Sequence, residues 1–286
     1  SNAGSERYQA LIFDGSGFID ATELVSAYRF FNANIRKLKS SGRIVVLGRP
    51  HMQCNTPEAA ATQRALEGLS RSLAKEVGAK GATAQLITVA DGAEANLDSS
   101  LRFILSPKSA YISGQVIKVR SADTPAVADW QKPLAGKIAL VTGASRGIGE
   151  AIADTLARDG ATIVGVDVAP MEADLNKVMA RLNGKAVIAD ITSTDAPPII
   201  AKALSDLGGA DIIVHNAGVT RDKTIANMNE QQWQMTLDIN LAAAQRITAE
   251  LLKTNTINDG GSIVGVSSMN GIGGQRGQTN YAASKA

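Results

Sequence analysis

Tyr281 and Lys285 stand four positions apart in "NYAASKA" (280–286), so on a helix both side chains share one face. A phenol ordinarily holds its proton until about pH 10, and an ammonium one helical turn away favours the phenolate. That pairing makes a proton donor and acceptor from a group otherwise too weakly acidic for neutral pH. Ser268 lies thirteen residues before the tyrosine and Asn240 forty-one before it. A serine hydroxyl there could steady charge developing on an oxygen. Each residue also has a plain structural reading. Tyr/Lys pairs of this spacing occur on ordinary helix surfaces, Ser268 suits a turn, and Asn240 suits a buried helix amide.

A second cluster binds rather than reacts. "VTGASRGIG" (141–149) follows a β-rich run and opens a helical pattern, with Thr142, Gly143, Gly147 and Gly149 at the turn. Glycines there let backbone approach a ligand closely, and the helix start offers free N–H groups to a pyrophosphate. Such a loop can also be a mere connection. The next β-rich run ends at Asp167, eighteen residues past Gly149. A carboxylate there accepts hydrogen bonds from ribose hydroxyls and repels a 2′-phosphate, which favours NAD(H) over NADP(H). Arg146 is a counter-signal, because its guanidinium could pair with that phosphate. Asp190 could accept from an adenine amino group, or equally cap the turn that starts at Ile191.

These residues need a scaffold. From 133 onward, short apolar runs at 137–143, 161–167, 185–190, 211–218 and 261–268 alternate with helical patterns. In one of these, Ile148, Ile152 and Leu156 recur at spacing four, and Gly160 is placed to end the helix. This alternation predicts a Rossmann-like α/β domain, a doubly wound parallel sheet. The first half offers runs at 10–17, 42–48, 82–89 and 114–119, predicting another α/β domain over 4–120. A proline-containing stretch at 121–132 reads as a linker, followed by the second domain at 133–286. "ALIFDGSG" (10–17) echoes "DIIVHNAG" (211–218), and "GRIVVLG" (42–48) echoes "GSIVGVS" (261–267), a weak internal repeat of related domains.

Composition removes several function classes. The 286 residues carry 29 Lys+Arg against 27 Asp+Glu, a net charge of +2 that argues against nucleic acid. One cysteine, Cys54, and two histidines make no disulfide framework and no structural zinc site, so no metal is expected. No apolar run reaches membrane-spanning length, so no membrane role is expected and the cytoplasm is the default setting.

"TGASRGIG", "HNAG", "INLAA", "VSSMNG" and "YAASKA", in this order and at these intervals, resemble the short-chain dehydrogenase/reductase family over residues 133–286. "NAGVTRDKTIANMNEQQW" (216–233) is most similar to its β-ketoacyl-[acyl-carrier-protein] reductases. His215 departs from the family, which usually has asparagine before "NAG". The resemblance implies a catalytic set: Tyr281 as general acid, Ser268 on the carbonyl oxygen, Lys285 on the tyrosine and nicotinamide ribose, and Asn240 holding a relay water. It extends the cofactor set to Ser145, Ile148, Ile191, Asn216, Ala217 and Gly218, besides Tyr281 and Lys285. It further implies NAD(H)-dependent reduction of a 3-oxoacyl thioester on acyl carrier protein or coenzyme A, in a homo-oligomer (dimer or tetramer). Another alcohol or ketone substrate is the alternative within the family; a non-catalytic nucleotide-binding scaffold is the alternative outside it.

The first half is similar to the later part of the same fold without its chemistry. "ALEGLSRSLAKEV" (65–77) resembles the helix that follows the Tyr-x-x-x-Lys motif, which sets Ala59 and Gln63 where tyrosine and lysine should stand. This matches two-domain, high-molecular-weight reductases whose first domain is flavodoxin-like and non-catalytic. The first half lacks early strands and the second lacks late ones, so the residues given are expected to be a shortened record of a longer protein.

Overall fold

A computed structural model describes residues 7–123 and 127–286, and the chain divides into two compact units, Ser1–Ala126 and Val127–Ala286. The division falls inside the stretch read as a linker, and the expected first domain's residues 4–6 lie outside the described residues. Among the described residues, no helix is long and apolar enough to cross a membrane.

The first unit runs β1 (Tyr8–Asp14), α1 (Leu24–Asn34), β2 (Leu38–Gly48), α2 (Pro57–Val77), β3 (Thr83–Val89), α3 (Leu97–Leu105) and β4 (Val116–Val119). The four strands pair in parallel in chain order, β1-β2-β3-β4. Thr56 caps α2 by accepting from the Ala59 amide, and Pro57 at the first helical position has no N–H to lose. The helix then buries a stripe through Leu66, Leu73 and Val77 against β2 and β3, where Ile44, Val46 and Leu86 are nearly inaccessible. Phe13, Phe18, Phe30 and Phe31 close the β1 side in tilted and edge-on pairs.

The second unit runs β5 (Ile138–Thr142), α4 (Gly147–Arg158), β6 (Thr162–Asp167), α5 (Glu172–Leu182), β7 (Lys185–Ile188), α6 (Ala196–Ser205) and β8 (Ala210–His215). It continues through α7 (Glu230–Leu237), a π-helical turn at Asp238–Ala242, α8 (Ala243–Lys253), β9 (Ile257–Gly265), α9 (Met269–Gly273) and α10 (Thr279–Lys285). Its sheet is all parallel in the order β7-β6-β5-β8-β9. Side chains alternate across the sheet. Ala139, Val141 and Ile163 pack with α4 and α5, while Leu140, Val164 and Val166 pack with α6 and α8. The sheet is therefore doubly wound, and its order reverses at β5, between β6 and β8. Ligand crevices form outside the carboxyl ends of strands at such a point.

The sequence echo has a counterpart in register. In β1/β2 the pairing moves from Tyr8↔Leu38 to Ala10↔Arg43; in β8/β9 it moves from Ala210↔Ile257 to Ile212↔Ser262. Both second strands insert three extra residues at the matching place. Ser41 (φ 55°) and Gly260 (φ 75°) take the left-handed conformation at the matching position. A Cβ on either following glycine, Gly42 or Gly261, would strike its own strand at 2.7 Å. This insertion starts β9 at Ile257, earlier than the apolar run at 261 suggests.

Candidate active site

Thr142 ends β5 and is buried. Its Oγ1 accepts from the Asn216 and Ala217 amides (3.1 Å each), and Asn216 Nδ2 donates back to the Thr142 carbonyl (3.0 Å). The loops after β5 and β8 are thereby stitched into one floor. Gly143 (φ 69°) and Gly147 (φ 61°) adopt the left-handed region in which a side chain is strained. Gly149 is buried, and a Cβ on it would overlap the Gly143 carbonyl. No side chain caps the N-terminus of α4, so its leading N–H groups face the crevice without a protein acceptor of that kind.

Asp167 is held at the end of β6 by two backbone amides: Ser145 N donates to Oδ2 (3.1 Å) and Val168 N to Oδ1 (2.9 Å). These elements wall a cleft of about 520 Å³. Of the expected cofactor residues, Gly143, Ser145, Arg146, Ile148, Gly149, Asp167, Asp190, Ile191, Asn216, Ala217 and Gly218 line it. Thr142 is buried beneath it, and Gly147 is exposed at the turn and is not among the lining residues. Ile148, expected as one of a core-spaced triad, is instead exposed into the cleft. Asp190 Oδ1 takes the turn-capping role, accepting from Thr192 N (2.9 Å) and Oγ1 (2.7 Å), while remaining on the cleft wall. The apolar walls from Pro170, Met171, Val219 and Ile239 carry no motif and escape sequence reasoning. A close-packed glycine turn, an open helix start and a fixed carboxylate at the next strand end fit a dinucleotide.

The second cluster gathers on α10, which carries Tyr281 and Lys285 on one face. Lys285 is 8% exposed; its Nζ donates to the Val266 carbonyl (2.6 Å), and burial pushes its pKa below the usual lysine value. A Cβ on Gly218 would sit 3.4 Å from that Nζ, so the lysine abuts the floor of the cleft. Asn240 joins from the π-helical turn. Its Oδ1 accepts from Val219 N (2.8 Å), and its Nδ2 donates to the Val219 carbonyl (3.0 Å) and to Ser284 Oγ (2.9 Å). The side chain expected to hold a relay water also clamps the β8 loop to the lysine helix. Ser268 does not end a strand, since β9 stops at Gly265; it caps α9, accepting from Asn270 N (3.2 Å).

Asn280 is fully buried beside the tyrosine and was not singled out by its sequence pattern. It accepts from Tyr281 N (2.7 Å) and donates to the Arg221 and Gln232 carbonyls (3.2 Å each) and to Thr236 Oγ1 (2.9 Å). This one amide moors the start of α10 to α7 and to the loop after β8. Its only sequence signal is adjacency to Tyr281.

His215, the departure from the family pattern, bonds Thr248 Oγ1 through Nε2 (2.9 Å). Burial lowers its pKa from the ordinary 6.5. With the folded value below the unfolded one, the unfolded chain takes up the proton first as pH falls. The stability is present above about pH 6.5 and lost as pH falls toward the folded value. His215→Asn is expected to flatten the acid limb of a Tm-against-pH curve below pH 6.5. A limb as steep as wild type would reject this role.

A family model described as short chain dehydrogenase matches residues 137–286. The 3-oxoacyl-[acyl-carrier-protein] reductase FabG of Vibrio cholerae is 40% identical over 154 residues, covering 54% of this chain and 63% of that protein. The reductase of the same name from Escherichia coli K12 is 38% identical over 152 residues, covering 53% and 62%. Nodulation protein G of Azospirillum brasilense is 40% identical over 156 residues, covering 52% and 63%. The chain therefore spans under two thirds of the relatives it matches. A crystal structure of a short chain dehydrogenase from Shigella flexneri aligns with a TM-score of 0.51 at 33% identity, covering 54% of this chain and 64% of that one.

Proposed function

Because the chain belongs to the short chain dehydrogenase family, we propose that it reduces a 3-oxoacyl thioester, carried on acyl carrier protein or coenzyme A, to the 3-hydroxyacyl thioester with NADH. The observation that carries this reading is the buried Lys285 ammonium on the helix of Tyr281, set against the Gly218 floor of the dinucleotide cleft. The reductases named above support the choice of substrate.

The cleft residues from Gly143 to Gly149, with Asp167 and Asn216 to Gly218, would hold the dinucleotide, and bound NADH supplies the hydride that reduces C3. Tyr281 donates its phenolic proton to the carbonyl oxygen, and the Ser268 hydroxyl donates a hydrogen bond to that oxygen as charge develops. Lys285 favours the phenolate left behind and so eases the proton's departure. Asn240 and Asn280 hold α10 in place against the floor. The protein works as a homo-oligomer in the cytoplasm, on a small-molecule or carrier-borne thioester.

The first unit, a degenerate flavodoxin/Rossmann-like domain, does not turn over substrate. Ala59 offers no phenol, and the Gln63 amide is taken up by the Gly15 and Phe18 carbonyls (2.9 Å each) and the Arg49 amide (2.7 Å). Those bonds brace a loop where a lysine would serve chemistry.

The test is NADH oxidation by the full-length protein with acetoacetyl thioesters of coenzyme A and acyl carrier protein, against a ketone lacking a thioester. We expect kcat/KM for either thioester to exceed that for the plain ketone at least 100-fold. A better simple ketone would overturn the substrate, and NADH binding without any turnover would overturn the enzyme. Cofactor choice has its own test. Asp167→Ser removes the carboxylate that a 2′-phosphate would meet, so the NADH/NADPH ratio of kcat/KM should fall by tenfold or more. An unchanged ratio would move the selectivity elsewhere, to Arg146 first.

A further inference from the structure

We propose that the cleft between α2 and the β3-β4 face of the first unit binds a small organic polyphosphate, of about the size of a nucleoside diphosphate. One face of a covered parallel sheet should read as continuously apolar. Here it does not. Leu86, Thr88 and Ala90 on β3 and its exit share that face with Val116, Lys118 and Arg120 on β4 and its exit, with Thr88 in register beside Lys118. The apolar pattern thus breaks into a cationic strip toward the carboxyl ends of the strands, where α/β folds receive ligands.

The opposite wall is the flank of α2. Arg64, Glu67 and Arg71 lie at helical spacing along it, and Glu67 holds both guanidinium groups, Arg71 at 2.6 Å. Together with Arg49, the cleft of about 520 Å³ is lined by five permanent cations and a single carboxylate. Arg49 is answered by Asp91 (3.2 Å) and Glu94 (2.9 Å). Glu67 answers one charge of the remaining four. Among the described residues, Lys118 and Arg120 have no ion-pair partner. Gathering like charges around one cleft is unfavourable unless anions enter it.

A second, independent observation points the same way. Thr88 is 6% exposed, lines the cleft, and its Oγ1 has no hydrogen-bond partner among the described residues. A buried hydroxyl normally has one. A phosphate oxygen would accept from it beside the Lys118 ammonium. Two oriented guanidinium forks suit further phosphate oxygens, and Leu86 and Val116 give the organic portion an apolar floor. The volume lies within the range of small-ligand sites.

The experiment is calorimetric titration of ADP into the full-length protein already saturated with NADH, so that the dinucleotide cleft of the second unit is filled. One further site per chain is expected. Lys118→Gln combined with Arg120→Gln, both at exposed positions, should weaken it at least tenfold while NADH affinity and Tm stay unchanged. Inorganic pyrophosphate should bind at least tenfold more weakly than ADP. Absence of a second site, or equal affinity in the double variant, would overturn the proposal. Pyrophosphate binding as tightly as ADP would overturn its organic half. Neither Tyr281 nor any other residue of its helix lines this cleft.

Discussion

Replacing Tyr281 with Phe is expected to lower kcat/KM for thioester reduction by at least three orders of magnitude, leaving NADH affinity within twofold. The change removes one hydroxyl and nothing else of size. A positioned general acid typically contributes about 10²–10⁴ in rate, and a thousandfold loss corresponds to about 4 kcal/mol of barrier. Among the described residues no protein group hydrogen-bonds the Tyr281 hydroxyl, so its loss should break nothing in the fold. What places the ring is the backbone of α10, moored by Asn280 to α7 and by Ser284 to Asn240. Those bonds survive the substitution, and Lys285 keeps its bond to the Val266 carbonyl. Initial rates, fluorescence titration of NADH and a Tm measured on the same preparation separate the outcomes. A loss under tenfold at unchanged Tm would take the proton-donor role away from Tyr281.

The contrast between Tyr281 and Asn280 shows what could be read before the structure. Tyr281 and Lys285 are legible because their chemistry depends on residue type and helical spacing, both written locally. Asn280 is the neighbour of Tyr281, yet its work lies in contacts to Arg221, Gln232 and Thr236, more than forty residues away in the chain. A buried amide leaves no periodicity to detect. The strands were legible as apolar runs, and the glycine loop as a place where backbone must approach backbone. Strand limits were less so. The three-residue insertion in β9 and the α9 cap at Ser268 arise from turn geometry rather than hydrophobicity. The walls from Pro170, Met171 and Ile239 become walls only because the sheet order reverses at β5. In the first unit, Arg64 and Arg71 face Lys118 and Arg120 across a cleft no linear pattern announces.

Gly149→Ala is expected to raise the Kd for NADH at least 100-fold and to lower Tm by several degrees. The added methyl has no room. It would overlap the Gly143 carbonyl and stand 2.6 Å from Asn216 Nδ2. Backbone cannot swing aside as the tip of a long side chain can. Either α4 moves away from β5, or Asn216 surrenders its bonds to the Thr142 and Gly143 carbonyls. Both routes spoil the same floor, one by withdrawing the helix N-terminus and the other by freeing the β8 loop. Overpacking of this kind costs about 1–3 kcal/mol. Gly147 supplies the control, because its φ of 61° strains an alanine but no atom lies within 4 Å of the new Cβ. The backbone penalty there is about 1–2 kcal/mol. Gly147→Ala should therefore lose a comparable amount of Tm yet keep NADH affinity within about tenfold. Thermal melts with and without saturating NADH report both effects, since a ligand stabilises only a fold that can bind it. The ligand-induced shift should vanish in Gly149→Ala and persist in Gly147→Ala. Equal shifts in the two variants would mean that close approach at Gly149 is not what builds the dinucleotide floor.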